Sequence, residues 1–578
     1  MKNLIHVTKF DNHFLALFLM PIINLLFMHY QILFTVSLES GCFKSSLFDN
    51  LLACLIDVTV ILILFMLLTF GRLRISLVFS FILTLILSFC NVFYSRFFSL
   101  YLPITSIDQA GNLADTVVIG SMLAGFNLYD LYYPFATILY ISIYKRSNRS
   151  NLNRYSTKTM MTLWICVLIL VAISHSLYFF HPMTFNRHLR QTLCSSPVYN
   201  SLWPNWVVFH KGLFRTMFID NISKTRKSSD LSKEQMDAIK QEYTDYSLRK
   251  TSRTAKESIE NIIFIIVESY LSSSSDLFVD GKEITPFLNH LKKDSNVYYN
   301  GHVKPNVVVG ESSDGQFIYM TGLLPLRSEI TVSRAKKNTL PGLPKVLKKI
   351  RPDLSSQMII PTTPTLWEQT AMAEAYGIEK LYSKLDYYKE VDNNSDLQDA
   401  EIFSYSSKKD SIISSPFFSM ILTISMHHPY NVYVEHGFHI KDAKLPENYR
   451  NYLITCHYTD TQIGKYLNSL KENGLYDNSL IIIVADHDAH PKFLDMEGKV
   501  SPNLPLYIIN GGFDTTKVWT GDCNQLDIYT TILDIMGIDS EWKGLGHTLL
   551  NIEYKNSLTD KTWELSDLII NGDYFNKE

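Results

Sequence analysis

The chain has 578 residues, of which 47% are hydrophobic and only 19% charged, with 34 Phe, 33 Tyr and a formal net charge of −3. That balance excludes a strongly basic nucleic-acid binder and a disordered chain. It fits neither a wholly soluble nor a wholly membranous protein, so the averages describe a mixture. The seven cysteines are scattered without a CxxC pair, which gives no support for a disulfide framework or a zinc ribbon.

Five apolar stretches fall in the first 181 residues, at 14–36, 51–70, 75–95, 126–144 and 160–180. Each approaches the ~20 residues that a helix needs to cross a ~30 Å hydrocarbon core. Asp130 and Pro134 interrupt the fourth, and the segment 117–125 before it is apolar but short. Lys2, Lys9, Arg72, Arg74, Lys145, Arg146, Arg149, Arg154 and Lys158 lie on one side of the expected spans, against Lys44 and Arg96 on the other. The excess of cations predicts a cytoplasmic N-terminus. Five crossings then place everything after about residue 182 outside the cytoplasm, which excludes nucleotides as substrates of that part. Asp57 and Asp130 are carboxylates inside apolar stretches. Each lines a headgroup or ion path, or faces a partner in the bundle interior.

Residues 183–257 are polar and read as a juxtamembrane connector. Ser232 and Gln235 have capping-box spacing and predict a helix to about 249. From 258 to 552 the pattern changes. Apolar runs of strand length at 261–267, 358–360, 417–424, 480–484 and 505–509 alternate with helical patterns such as 343–350, 448–471 and 526–536. Such alternation predicts an α/β fold with a mostly parallel sheet, whose ligands gather at the carboxyl ends of the strands. Residues 553–578 read as a C-terminal tail.

The residues that terminate the strand runs carry the chemistry. The run at 261–267 ends in Glu268, that at 417–424 leads to His427 and His428, and that at 480–484 ends in Asp486-His487 with Asp488 and His490 beyond. Carboxylate oxygen and imidazole nitrogen together suit Zn²⁺ or Mn²⁺. Gly310-Glu311-Ser312-Ser313-Asp314 ends another apolar stretch, with a helix predicted from about Ser312 to Thr321. A hydroxyl there lies beside unpaired N–H donors that suit a phosphate, and a nearby cation makes it a nucleophile.

Together these motifs resemble the alkaline-phosphatase/sulfatase superfamily, and within it the membrane-bound lipoteichoic acid synthases and phosphoethanolamine transferases. The resemblance extends to five membrane helices followed by an extracytoplasmic catalytic domain. It implies one divalent ion, Mn²⁺ or Zn²⁺, held by Glu268, Ser312, Asp486 and His487, with Ser312 as nucleophile and His427 contacting phosphate. Trp367 matches a headgroup-pocket Trp of the synthases, but Gln369 and Ile360 stand where an Arg and a His are expected, and the nucleophile is Ser rather than Thr. His490 is a further candidate for substrate binding. The implied activity is transfer of a phosphoglycerol or phosphoethanolamine headgroup from a membrane phospholipid to an envelope glycan or lipid, in a bacterial cytoplasmic membrane. A phosphodiesterase or phosphatase of the same superfamily is the alternative, and a non-catalytic membrane scaffold a third reading. A formylglycine sulfatase is disfavoured, because the segment after Ser312 lacks the required Pro and Arg.

Overall fold

The computed structural model describes residues 12–35, 47–98, 101–102 and 116–147, part of 208–217, 231–247, and 254–577 apart from short gaps. The chain divides into two compact units, one drawn from residues 1–107 and 122–227 and the other from 108–121 and 228–578.

Among the described residues the first unit contains three helices long and apolar enough to cross a membrane: α1 (Asn12–Thr35), α2 (Leu47–Leu68) and α3 (Leu73–Phe98). An uninterrupted apolar run leaves helix as the way to satisfy its own backbone in lipid. After the short helix α4 (Thr116–Ala124), the fourth expected stretch begins differently. Asn127 and Asp130 cap each other across a 3₁₀ turn at Leu128–Leu131, and α5 runs only from Tyr132 to Arg146. The fifth stretch, 160–180, lies outside the described residues. The two carboxylates of these apolar stretches are both partnered. Asp130 takes both prongs of the Arg96 guanidinium at 2.6 and 2.9 Å, and Asp57 accepts from the Phe214 amide at 2.9 Å. These bonds favour the bundle-interior role for both.

Among its described residues the second unit is built on ten strands: β1 (Asn261–Val267), β2 (Phe278–Val279), β3 (Lys282–Glu283), β4 (Val297–Lys304), β5 (Ser355–Ile359), β6 (Lys380–Tyr382), β7 (Phe417–Leu422), β8 (Ser479–Ala485), β9 (Leu504–Ile509) and β10 (Cys523–Asn524). Eight form one sheet in the order β10-β4-β9-β8-β1-β7-β5-β6, and β2 and β3 pair separately. All pairings in the large sheet are parallel except those of β9, which runs against β8 and β4. The central strands β1, β7 and β8 are buried at every position, which is why they read as unbroken apolar runs rather than alternating ones. Burying each Ile or Val of β1 contributes about 1.5–3 kcal/mol.

The predicted helix at Ser232 forms as Lys233–Ser247, with the Ser232 and Gln235 side chains bonded to each other's backbone amides. Within the stretch read as a tail, residues Asp560–Gly572 form a helix that buries Leu565, Ile569 and Ile570. Asp567 pairs with Arg327 at 2.9 Å, and the Ser566 hydroxyl donates to the Leu324 carbonyl.

Candidate active site

Strand register brings the chemical groups together. Val267 pairs with Ala485 in the parallel β1–β8 ladder, so the next residues, Glu268 and Asp486, leave the sheet side by side. On the other flank Ile266 pairs with Leu422, and the Glu268 amide donates to the Thr423 hydroxyl at 3.0 Å. The Ser269 amide reaches across to Asp486 Oδ1 at 2.8 Å, and the Ser269 hydroxyl donates to Glu268 Oε1.

Ser312 arrives from a different direction, at the first turn of the helix Ser312–Thr321. The loop before it is held by Asp314, whose Oδ2 accepts from the Val308 and Gly310 amides at 3.0 and 2.8 Å. A Cβ on Gly315 would lie 2.2 Å from the Asp486 carbonyl oxygen, so only glycine lets this helix approach the end of β8 so closely. Ser312 is half-buried and Ser313 fully buried. The Ser313 hydroxyl donates to the Gly310 carbonyl at 2.7 Å.

The result is a tight cluster. Ser312 Oγ lies 3.2 Å from His487 Nε2 and 3.4 Å from Glu268 Oε2. His487 Nε2 lies 3.4 Å from Glu268 Oε1 and 3.6 Å from Asp486 Oδ2. A tetrahedral ion with bonds of about 2.0–2.2 Å sets its ligand atoms about 3.3–3.6 Å apart, so these four spacings suit a Zn²⁺-sized centre. Glu268, Asp486 and His487 form a buried group able to hold a metal ion. His487 Nδ1 bonds the Asp488 carbonyl at 2.7 Å, which orients the ring and leaves Nε2 for the centre.

The electrostatics agree with that donor set. Burial alone would raise the Glu268 carboxyl, but its hydrogen bond to His487 and the charges of His427 and His487 hold it below the usual carboxylate range. Burial and then the Glu268 charge push Asp486 up. Burial disfavours an imidazolium at His487, yet Asp486 and Glu268 hold its pKa above the ordinary value. Two buried carboxylates this close push one of the pair toward its protonated form unless a cation lies beside them.

The other expected residues are placed as follows. His427 follows β7, bonds the His428 carbonyl through Nδ1 at 2.7 Å, and acts electrostatically on Glu268. His490 joins the cluster, its ring 5.6 Å from that of His487. Trp367 is half-buried in the short turn Leu366–Glu368, with φ of 52°. Gln369 is buried and donates to Gln316 Oε1 at 3.1 Å, four residues along the helix from Ser312. Ile360 is buried at the end of β5. The sequence pattern assigns no role to Glu311, whose carboxylate lies 3.1 Å from His490 Nε2 and whose φ is +45°. Nor does it assign one to Asp399, which accepts from the Ile424 and Ser425 amides and so fixes the loop leading to His427.

Residues 260–538 match the sulfatase family. Over 86% of its length the chain is 26% identical to a lipoteichoic acid synthase of Staphylococcus saprophyticus, covering 77% of that protein. It is also 26% identical to lipoteichoic acid synthase 2 of Bacillus subtilis, over 81% of this chain and 73% of the relative. Among solved structures, the lipooligosaccharide phosphoethanolamine transferase A of Neisseria meningitidis, an integral membrane protein, shares the fold over 94% of this chain and 98% of its own, with a TM-score of 0.51 at 12% identity.

Proposed function

We propose that this protein is a membrane-bound transferase that moves a phosphoglycerol or phosphoethanolamine headgroup from a phospholipid to an envelope glycan or lipid. The observation that carries the reading is the half-exposed Ser312 hydroxyl, 3.2 Å from His487 and 3.4 Å from Glu268, inside a sulfatase-family domain. The relatives named as lipoteichoic acid synthases support the substrate class.

Glu268, Ser312, Asp486 and His487 would hold one divalent ion, Mn²⁺ or Zn²⁺. When bound, such an ion supplies Lewis-acid stabilisation of phosphoryl charge and lowers the pKa of a neighbouring hydroxyl. Ser312 Oγ gives up its proton and attacks phosphorus, the ester bond to diacylglycerol breaks, and the diacylglycerol oxygen takes a proton. A phosphoserine diester remains. The acceptor hydroxyl then attacks the same phosphorus, its proton leaves, and Ser312 Oγ departs and is reprotonated. His427, held through its Nδ1, steadies the non-bridging oxygens or gives the leaving oxygen its proton. Trp367 and His490 are assigned to the headgroup side of the pocket.

Five membrane crossings with a cytoplasmic N-terminus would carry this site outside the cytoplasm, next to its lipid donor, where tethering raises the effective concentration of substrate. Intact mass spectrometry of the full chain, incubated in detergent with phosphatidylglycerol or phosphatidylethanolamine, tests the reading. A mass increase matching one headgroup phosphate, localised to Ser312, is expected. No adduct and no diacylglycerol release with either lipid would reject it.

A further inference from the structure

Because β9 runs against both of its neighbours, β4 and β10 run parallel to β8, and Asn524 ends β10 on the sheet edge where Asp486 follows β8. The next residue, Gln525, donates to the Asp486 carbonyl at 2.7 Å. Two positions on, the buried Asp527 accepts from the Asn524 and His547 amides at 2.7 and 2.8 Å and from the Tyr554 hydroxyl at 2.7 Å. These bonds hold the walls of a cavity of about 340 Å³ lined by His547, Thr548, Asn551, Glu553, Tyr554 and Lys555. Small-ligand sites span about 300–1,000 Å³. We infer that this cavity binds a sugar ring of a neutral glycan. If the protein transfers headgroups as proposed, that glycan is the acceptor, and only this second step rests on the proposed activity.

A sugar ring presents an apolar C–H face and a rim of hydroxyls that each donate and accept. The Tyr554 ring meets the first need. It stacks on Trp519 with centroids 5.3 Å apart and planes 27° apart. The polar ends of both rings are tied, Tyr554 to Asp527 and the Trp519 indole N–H to the Asp522 carbonyl at 2.9 Å. The aromatic wall is therefore rigid before a ligand arrives, and little conformational entropy is lost on binding. Around it stand groups for the hydroxyl rim. The Glu553 carboxylate accepts, the Lys555 ammonium donates, and the Asn551 amide does both. The Thr548 hydroxyl donates to Asp534 Oδ2 at 2.9 Å and keeps lone pairs to accept. Glu553 and Lys555 are exposed and form no ion pair among the described residues. Charge decides between a neutral sugar and a phosphate-bearing ligand. Lys555 is balanced by Glu553, and Asp527 behind the wall adds a negative charge, so the cavity does not attract an anion.

Calorimetric titration of the full chain, in a detergent without a sugar headgroup, measures binding with no turnover. Failure of this site and failure of the proposed activity are therefore separable. The probes are maltotetraose, chitotetraose and galactotetraose, with glycerol phosphate as the anionic comparison. At least one tetrasaccharide is expected to bind with a Kd of about 1 mM or tighter, and more tightly than glycerol phosphate. Tyr554→Ala should weaken that binding about tenfold through the lost ring contact, whereas Tyr554→Phe should keep most of it. Glu553→Ala, at an exposed position that leaves the core intact, should weaken it about fivefold. Thermal melting checks the fold of each variant, and Glu553→Ala carries the test if Tyr554→Ala does not fold. Absence of binding by all three sugars, an affinity unchanged in the folded variants, or tighter binding of glycerol phosphate than of every sugar overturns the site.

Discussion

Ser313 is buried with its hydroxyl donated to the Gly310 carbonyl, whereas Ser312 is half-exposed and faces Glu268 and His487. Adjacent residues on a helix lie ~100° apart, so only one of the two can share the cluster. Ser312→Ala should abolish the headgroup adduct and lower turnover by several orders of magnitude, because a covalent route loses its nucleophile. Ser313→Ala should cost about 1 kcal/mol of stability through its lost hydrogen bond and still form the adduct. An adduct that persists in Ser312→Ala and vanishes in Ser313→Ala would reverse the assignment. Glu268, Asp486 and His487 were legible because each interrupts an apolar strand run with a polar group, a contrast visible in a window of ten residues. Glu311 was not. Its part in the cluster depends on a left-handed backbone, φ +45°, and on a histidine 179 positions away. Neither leaves a local trace.

The elements of the catalytic unit were legible where burial was complete. The helix predicted over 343–350 forms as Leu343–Ile350, and the strand over 261–267 as β1. Strand β4 was missed because half-buried and exposed residues break its pattern, and the helix Asp399–Asp410 because its sequence is largely polar. That helix ends in a buried junction. Asp410 accepts from Gln357 on β5 at 2.7 Å and from the Tyr466 hydroxyl on the helix Glu447–Glu472 at 2.5 Å. Burial outweighs its hydrogen bonds from Ser419, Tyr466 and Gln357 and pushes the carboxyl up to about 6. An unfolded Asp titrates near ~3.9, so between about pH 4 and 6 the folded state binds the extra proton. The associated stability is complete below pH ~4 and is lost as pH rises through 6, at most about 3 kcal/mol. Asp410→Asn cannot ionise and should lack that loss. Chemical denaturation at pH 4.5 and 7.5 should show the variant gaining on the wild type by about 2 kcal/mol at the higher pH. An equal pH dependence in both proteins would mean that Asp410 stays charged when folded.

At the scale of the whole chain, the sign of the loops and the length of the helices make separable statements. Three described helices and five expected spans are both odd, so a cytoplasmic N-terminus sends the catalytic unit to the far side under either count. The counts diverge at α5. Its 15 residues rise only about 22 Å, short of a ~30 Å core, and the Asn127–Asp130 capping box explains why the apolar stretch there starts late. Yet Leu128, Leu131, Phe135 and Ile138 are 83%, 63%, 65% and 66% exposed, an apolar surface that lipid would cover if the 3₁₀ turn completes the crossing. A reporter that works only outside the cytoplasm should therefore be active when fused after Glu578 and inactive when fused after Arg149. Activity at both positions would leave the region around α5 uncrossed while preserving the site of the catalytic unit. Inactivity after Glu578, with cytoplasmic reporter activity in its place, would require an even number of crossings and would remove the catalytic unit from the face of the membrane where the proposed acceptors lie.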